Sequence, residues 1–226
     1  MVHHDEFYSI VEVVYIVSKS FKSTVRNHWQ NYHQDHNFGT CWTNGTNIAY
    51  INIPKCATSI TKAVFQGVQK NYITDDLSDH RFFVALRDPY SRWLSGVIEW
   101  IVRRDIINVE DTDVFRQHAF VKFLLNAKAL DSHTEHQVHY IAGIDRTKID
   151  FLLVDKNYSQ TLWKYCKEVG IPLYNTKYIG TSNVSTPAQR NAQKVLHDVI
   201  NEHYQSDIKR KLFIDNNFID RVQFYK

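Results

Sequence analysis

Two short stretches hold the residues best equipped for chemistry. The first, IPKCATSI, puts Lys55 directly after Pro54 and follows it with Cys56, Ala57, Thr58, Ser59 and Ile60. A lysine at the exit of an apolar run, ahead of small and hydroxylated residues where a helix starts, suits an anion. Backbone N–H groups and hydroxyls can surround the charge while the ammonium neutralises it. The second, LRDPYSRWLSG, ends an apolar run at Arg87 and brings Ser95 eight residues on. A guanidinium and a hydroxyl suit a second anionic group. Two such sites on neighbouring strands predict a ligand with two separated phosphate-like groups. The usual phosphate loop is glycine-rich and ends in Gly-Lys-Ser/Thr, so IPKCATSI is an anion loop of another kind.

These residues need a scaffold, and the hydrophobic pattern supplies one. Ile48 to Ile53 reads as a strand apolar on both faces except at Asn52, as expected in a parallel sheet covered by helices. Ile60, Ala63, Val64 and Val68 then fall at helical spacing, with Thr58 or Ser59 as possible caps. Asn71 to Thr74 reads as a short second strand, followed by an acidic turn. Arg81 to Leu86 is the next strand, and Pro89 suits the first turn of a helix whose apolar face is Trp93, Leu94, Val97, Ile98 and Ile101. Ser95 then falls about two turns into that helix, so it can share an anion with Arg87 only if the chain turns sharply at Pro89. A helix over Val114 to Asn126, a strand over Ile149 to Val154 and helices near Leu162, after Pro187 and near Tyr204 complete the pattern. Residues up to about Trp42 read as helix and polar connector. The alternation predicts a single α/β domain over residues 1–226, with a central parallel sheet flanked by helices. Ligands of such sheets sit beyond the carboxyl ends of the strands, where Lys55 and Arg87 fall.

Bulk properties narrow the class. The 226 residues are 43% hydrophobic, 23% charged and 14% aromatic, a globular composition rich in rings that suit sugar contacts as well as core packing. A net charge of +3 gives no reason to infer a nucleic-acid partner. The three cysteines are far apart and lack metal-ligand spacing, which favours free thiols in a reducing compartment over a disulfide framework. The apolar stretch Ile10 to Val17, interrupted by Glu12, is too short and charged for a membrane span or secretory segment. The expectation is a soluble, cytoplasmic protein of microbial or viral type, or a Golgi-luminal domain whose anchor has been removed. His133, His136 and His139 share helical spacing, but no carboxylate or cysteine completes a known ligand pattern, and no metal is expected.

Together the two loops resemble those of sulfotransferases that use 3′-phosphoadenosine 5′-phosphosulfate (PAPS), in particular the carbohydrate sulfotransferase branch. DSHTEHQ is similar to that family's Asp-x-His-x-x-x-Gln pattern. The stretch from Ile149 to Ile171 resembles the strand and helix that follow, with Asn157 where a glutamate is usual. SNVS and HYQSDIKRKLF resemble the closing loop and helix, so the likeness runs from Asn47 to about Phe213. It implies a P-loop-like sulfotransferase fold, PAPS as co-substrate and a hydroxyl-bearing acceptor such as a glycan. Pro54 to Ile60 would grip the phosphosulfate, Arg87 and Ser95 the 3′-phosphate, and the loop holding Asn183 and Ser185 would close over the adenosine. Lys55 would stabilise charge building on the leaving oxygen. The acceptor needs a base, for which His133 matches the pattern, while Asp75 and Asp76 follow the short strand where several relatives carry a catalytic carboxylate. The bland alternatives are a solvated Lys55, an Arg87 paired with Asp88, and Asp75 and Asp76 as turn residues. Two other classes stay open: a kinase-like phosphotransferase, and a glycan- or nucleotide-binding module without turnover.

Overall fold

A computed structural model describes residues 40–72, 75–173 and 185–225. They fall into two compact units, one built on residues 40–92, 136–173 and 212–225, the other on 93–135 and 185–211.

The first unit is a sheet covered by helices. Its strands are β1 (Thr40–Thr43), β2 (Ile48–Ile51), β3 (Val68–Asn71), β4 (Arg81–Leu86) and β5 (Ile149–Leu153), in the order β3-β1-β2-β4-β5. The parallel set β2-β4-β5 has the registers Ile51↔Val84 and Leu86↔Leu153. β1 runs antiparallel to both β2 and β3, so the fold is α/β with a mixed sheet, where a parallel one was expected. The physical reason lies in Asn44 and Gly45. Gly45 adopts φ 85°, and Asn44 Oδ1 accepts from Thr46 N and Oγ1, which closes a tight turn that only antiparallel neighbours can share.

Helices α1 (Thr58–Phe65) and α4 (Tyr158–Glu168) belong to this unit, as does the short α7 (Phe213–Ile219). Tyr50, Phe83, Phe65 and Tyr165 form one aromatic cluster, with Tyr50 stacked 5.0 Å from Phe83 and Tyr165 5.3 Å from it. All four β2 residues are buried, as are five of the six in β4, so burial rather than alternation sets the composition of these strands. β3 is the exposed edge.

The second unit is helical. It takes the Trp93–Arg104 part of α2 (Pro89–Arg104), α3 (His118–Asn126), α5 (Pro187–His203) and α6 (Gln205–Lys211). Val97, Ile101, Phe115, Phe120, Leu124, Leu196 and Ile200 are among its buried residues. α5 starts on a full capping box: Thr186 Oγ1 accepts from Gln189 N, Gln189 Oε1 accepts from Thr186 N, and Pro187 opens the helix. The expected Val114 to Asn126 helix is divided at Gln117, whose ψ of 117° separates a 3-10 turn (Val114–Arg116) from α3. Among the described residues no helix is long and apolar enough to cross a membrane.

Candidate functional site

Lys55 lies in the turn that leaves β2. Ile53 O accepts from Cys56 N at 3.2 Å and from Thr58 Oγ1 at 3.0 Å, which folds the chain back before α1 begins. Lys55 (φ 66°) and Ala57 (φ 55°) are both left-handed without being glycine. Such conformations cost of order 1–3 kcal/mol each and persist where the surroundings over-determine them. Ala57, rather than Thr58 or Ser59, is the N-cap of α1, and it offers no side-chain acceptor to the helix's first N–H groups. Alternating backbone handedness followed by a helix start is an anion-binding arrangement of N–H groups.

Two arginines hold this turn in shape. Arg92, only 1% exposed, donates from Nε to Pro54 O at 3.0 Å. Arg87 donates from Nη1 to Lys55 O at 3.4 Å. Because the peptides are trans, turning Pro54 O toward Arg92 turns Lys55 N–H to the opposite side. The IPKCATSI and LRDPY stretches therefore meet, through Arg87 on one side and the Lys55 peptide on the other.

Gln137 ties the same two stretches from a third direction and is fully buried. Its Nε2 donates to Arg87 O at 2.9 Å, while its Oε1 accepts from Arg87 N at 3.0 Å and from the Cys56 thiol at 3.2 Å. Burial pushes that thiol up to about 11 against the pull of Arg92 and Arg87, so it stays protonated and acts as a donor. Asp215, 2% exposed, fixes Gln137 in turn: Oδ2 accepts from Gln137 N at 3.1 Å and Oδ1 from Val138 N at 3.3 Å, with His136 Nδ1 3.5 Å from Oδ2.

Asp75 and Asp76 leave β3 at the end of the sheet where Lys55 leaves β2, since β3 and β2 run the same way on either side of β1. Two inter-strand spacings, about 10 Å, separate those strands. Both carboxylates serve local turns. Asp75 Oδ2 accepts from Asn71 N at 2.9 Å, and Asp76 Oδ1 accepts from Ser78 Oγ at 2.8 Å and Ser78 N at 3.2 Å. The Ser78 hydrogen bonds hold Asp76 below the usual carboxylate range, which weakens it as a base.

His133 and Ser95 belong to the helical unit. His133 Nδ1 lies 2.9 Å from Asp131 Oδ2, and its backbone N–H donates to Asp131 Oδ1 at 2.8 Å. A carboxylate accepts only from a protonated nitrogen, so the neutral imidazole carries its proton on Nδ1 and presents the Nε2 lone pair. Thr134 Oγ1 braces the turn by accepting from Leu130 N at 2.7 Å. Gly96, beside Ser95, packs against His133 so closely that a Cβ there would lie 2.3 Å from His133 O. Ser185 is exposed ahead of α5, and Asn183 lies outside the described residues.

Sequence reasoning missed Arg92, Asp215 and the part played by Gln137. Arg92 carried no local signal, for an arginine in the first turns of a helix is ordinary. Asp215 carried none, for it meets Gln137 across 78 residues of chain. Among the described residues no three His, Cys, Asp or Glu side chains converge as a metal group. Compared with known proteins, the chain matches no family model, no curated protein and no solved structure.

Proposed function

We propose that this chain is a PAPS-dependent sulfotransferase that moves a sulfuryl group to an acceptor hydroxyl, first of all on a carbohydrate. The observation that carries the proposal is the Arg87 guanidinium 3.4 Å from the Lys55 carbonyl oxygen, which joins two cationic loops at the carboxyl ends of adjacent parallel strands. A ligand with two separated anionic groups matches that arrangement, and the β2–turn–α1 unit serves as its P-loop-like element.

In this mechanism the N–H groups of Lys55 and of Ala57 to Ile60 hold the 5′-phosphosulfate and Arg87 holds the 3′-phosphate, while Cys56 N–H stays with Ile53 O. The bond between sulfur and the bridging phosphate oxygen breaks as the acceptor oxygen bonds to sulfur, and adenosine 3′,5′-bisphosphate leaves. Lys55 neutralises the charge that grows on the departing oxygen, an interaction stronger in the transition state than in the ground state. The acceptor proton goes to a base. Within the helical unit His133 has the chemistry of one, because Asp131 orients its ring and leaves Nε2 to accept a proton.

The test is transfer of labelled sulfate from PAPS to a panel of oligosaccharides, read as labelled glycan and as released adenosine 3′,5′-bisphosphate. Formation of both in equal amounts supports the proposal. No transfer to any glycan or small hydroxyl acceptor, with ATP and magnesium giving phosphorylated product instead, overturns it.

A further inference from the structure

A cleft lies at the other end of the sheet. It has a volume of about 430 Å³ and opens beside the start of β5, with Arg146, Asp150, Phe218, Arg221, Phe224 and Tyr225 in its wall. Lys55 and Arg87 follow the carboxyl ends of strands parallel to β5, whereas this cleft takes the first residues of β5. At about 3.3 Å per residue the two places are roughly 15 Å apart along the strands.

The wall is held rigidly. The segment after α7 pairs with the free edge of β5 through a Phe151↔Phe224 bridge, and Tyr225 N donates to Phe151 O at 2.9 Å. The Tyr225 ring meets Tyr165 edge-on at 5.2 Å, and its hydroxyl donates to Glu168. The Arg146 guanidinium lies over the Phe218 ring at 5.2 Å, which orients its fork of donors. Phe218 is itself buried, and the half-buried Phe224 and Tyr225 give a ligand apolar ring surface at little cost in side-chain entropy.

The charges are unbalanced. Asp150 spends both oxygens elsewhere, accepting from Arg81 Nη2 at 2.7 Å and from the Tyr165 hydroxyl at 2.9 Å. Arg146 and Arg221 are exposed and have no carboxylate partner among the described residues. Two unneutralised guanidinium groups beside aromatic rings suit a ring that is apolar on one face and bears carboxylate or sulfate groups at its rim. An acidic sugar has that form: its C–H face stacks on the rings, and its anionic group takes two parallel N–H donors from an arginine.

We propose that this cleft binds an acidic saccharide, as a site separate from the nucleotide loops. The proposal does not depend on sulfuryl transfer.

Calorimetric titration tests it on the full chain with three hexasaccharides: heparin-derived, fully desulfated heparin, and neutral maltohexaose. The heparin and desulfated arms distinguish sulfate from carboxylate as the recognised group. Binding of either anionic sugar, with no binding of maltohexaose, is expected. Arg146→Ala/Arg221→Ala should weaken it at least tenfold, and Arg146→Lys/Arg221→Lys, which keeps the charge but loses the fork, should weaken it measurably. Lys122→Ala/Lys194→Ala, which removes two exposed charges from the helical unit, should leave it unchanged, as should Lys55→Ala. Equal loss in the two double alanine variants, equal binding of maltohexaose, or no binding of either anionic sugar overturns the proposal. Because Lys55→Ala is included, failure here is distinguishable from failure of the nucleotide site.

Discussion

The Arg87 guanidinium donates to the main-chain oxygen of Lys55 at 3.4 Å, across 32 residues of sequence. The contact joins two loops, each of which follows one of the adjacent parallel strands β2 and β4. Arg92 and Gln137 keep that junction in register, and each makes a separable prediction.

Gln137→Leu should be severely destabilising. It removes one acceptor and one donor at once, leaving the half-buried N–H and C=O of Arg87 without their partners. Each unsatisfied group costs about 1–3 kcal/mol, so a loss of about 2–6 kcal/mol is expected in urea unfolding. Gln137→Glu sets a buried carboxylate against Arg87 O and beside Asp215, and it should be at least as destabilising as Gln137→Leu at neutral pH.

Arg92→Lys should fail as a conservative change. The guanidinium reaches Pro54 O from a position only 1% exposed, and an ammonium on a shorter stem has neither the planar fork nor the weak hydration that tolerates such burial. The expected result is a loss of about 2–4 kcal/mol in stability, together with weaker nucleotide binding. Unchanged stability and binding would show that Arg92 does not hold the loop.

Gly96→Ala should disturb the Asp131–His133 pair while leaving both side chains unchanged. A methyl group cannot occupy a position 2.3 Å from a carbonyl oxygen, and that oxygen belongs to the backbone of His133, so the helix or the turn must move. Overpacking of this kind costs about 1–3 kcal/mol. The His133 ring signals in a 15N-imidazole spectrum should shift toward those of Asp131→Asn. A spectrum identical to wild type would contradict the contact.

Stability should fall as the solution becomes alkaline. Burial raises Cys41 and Cys56 to about 11 and Cys166 to about 12 from an unfolded value of 9.0. Below pH 9 these thiols are protonated in both states and their contribution is intact. Between 9 and 11 the unfolded chain releases protons that the folded chain keeps, so unfolding is favoured as pH rises. Lys211 acts in the opposite sense, since burial lowers it to about 8 and the unfolded chain retains its proton up to the usual lysine range. Burial lowers Lys62 in the same way. Three thiols, reinforced by Tyr50, Tyr158 and Tyr165, which burial raises, outweigh the two ammonium groups. The net slope is downward, measurable as a falling urea midpoint from pH 9 to 11. Cys166→Ala should flatten it.

The strands that position the site were legible because burial on both faces makes them continuous apolar runs, as in Ile48–Ile51, Arg81–Leu86 and Ile149–Leu153. Thr40–Thr43 was not. Only Cys41 of its four residues is buried, so it reads as polar connector and its antiparallel pairing went unforeseen. Val68–Asn71 is an exposed edge with no apolar face to mark it, and the expected strand lay a few residues late, at Asn71 to Thr74. Lys55 and Arg87 stood out because a cation directly after a buried strand is visible locally. Arg92 resembled an ordinary helix arginine, and the Gln137 links to Cys56 and Asp215 span 81 and 78 residues, beyond any periodicity.

One titration bears most directly on the two-loop site: calorimetry of the wild type and Arg87→Ala with adenosine 3′,5′-bisphosphate and with adenosine 5′-phosphate. A charge-assisted hydrogen bond contributes about 1.5–3 kcal/mol, so the wild type should bind the bisphosphate roughly 10–100-fold more tightly than the monophosphate. Arg87→Ala should bring the two affinities together. Equal affinities in the wild type, or a preference for the bisphosphate that survives in Arg87→Ala, would mean that Arg87 does not receive the 3′-phosphate.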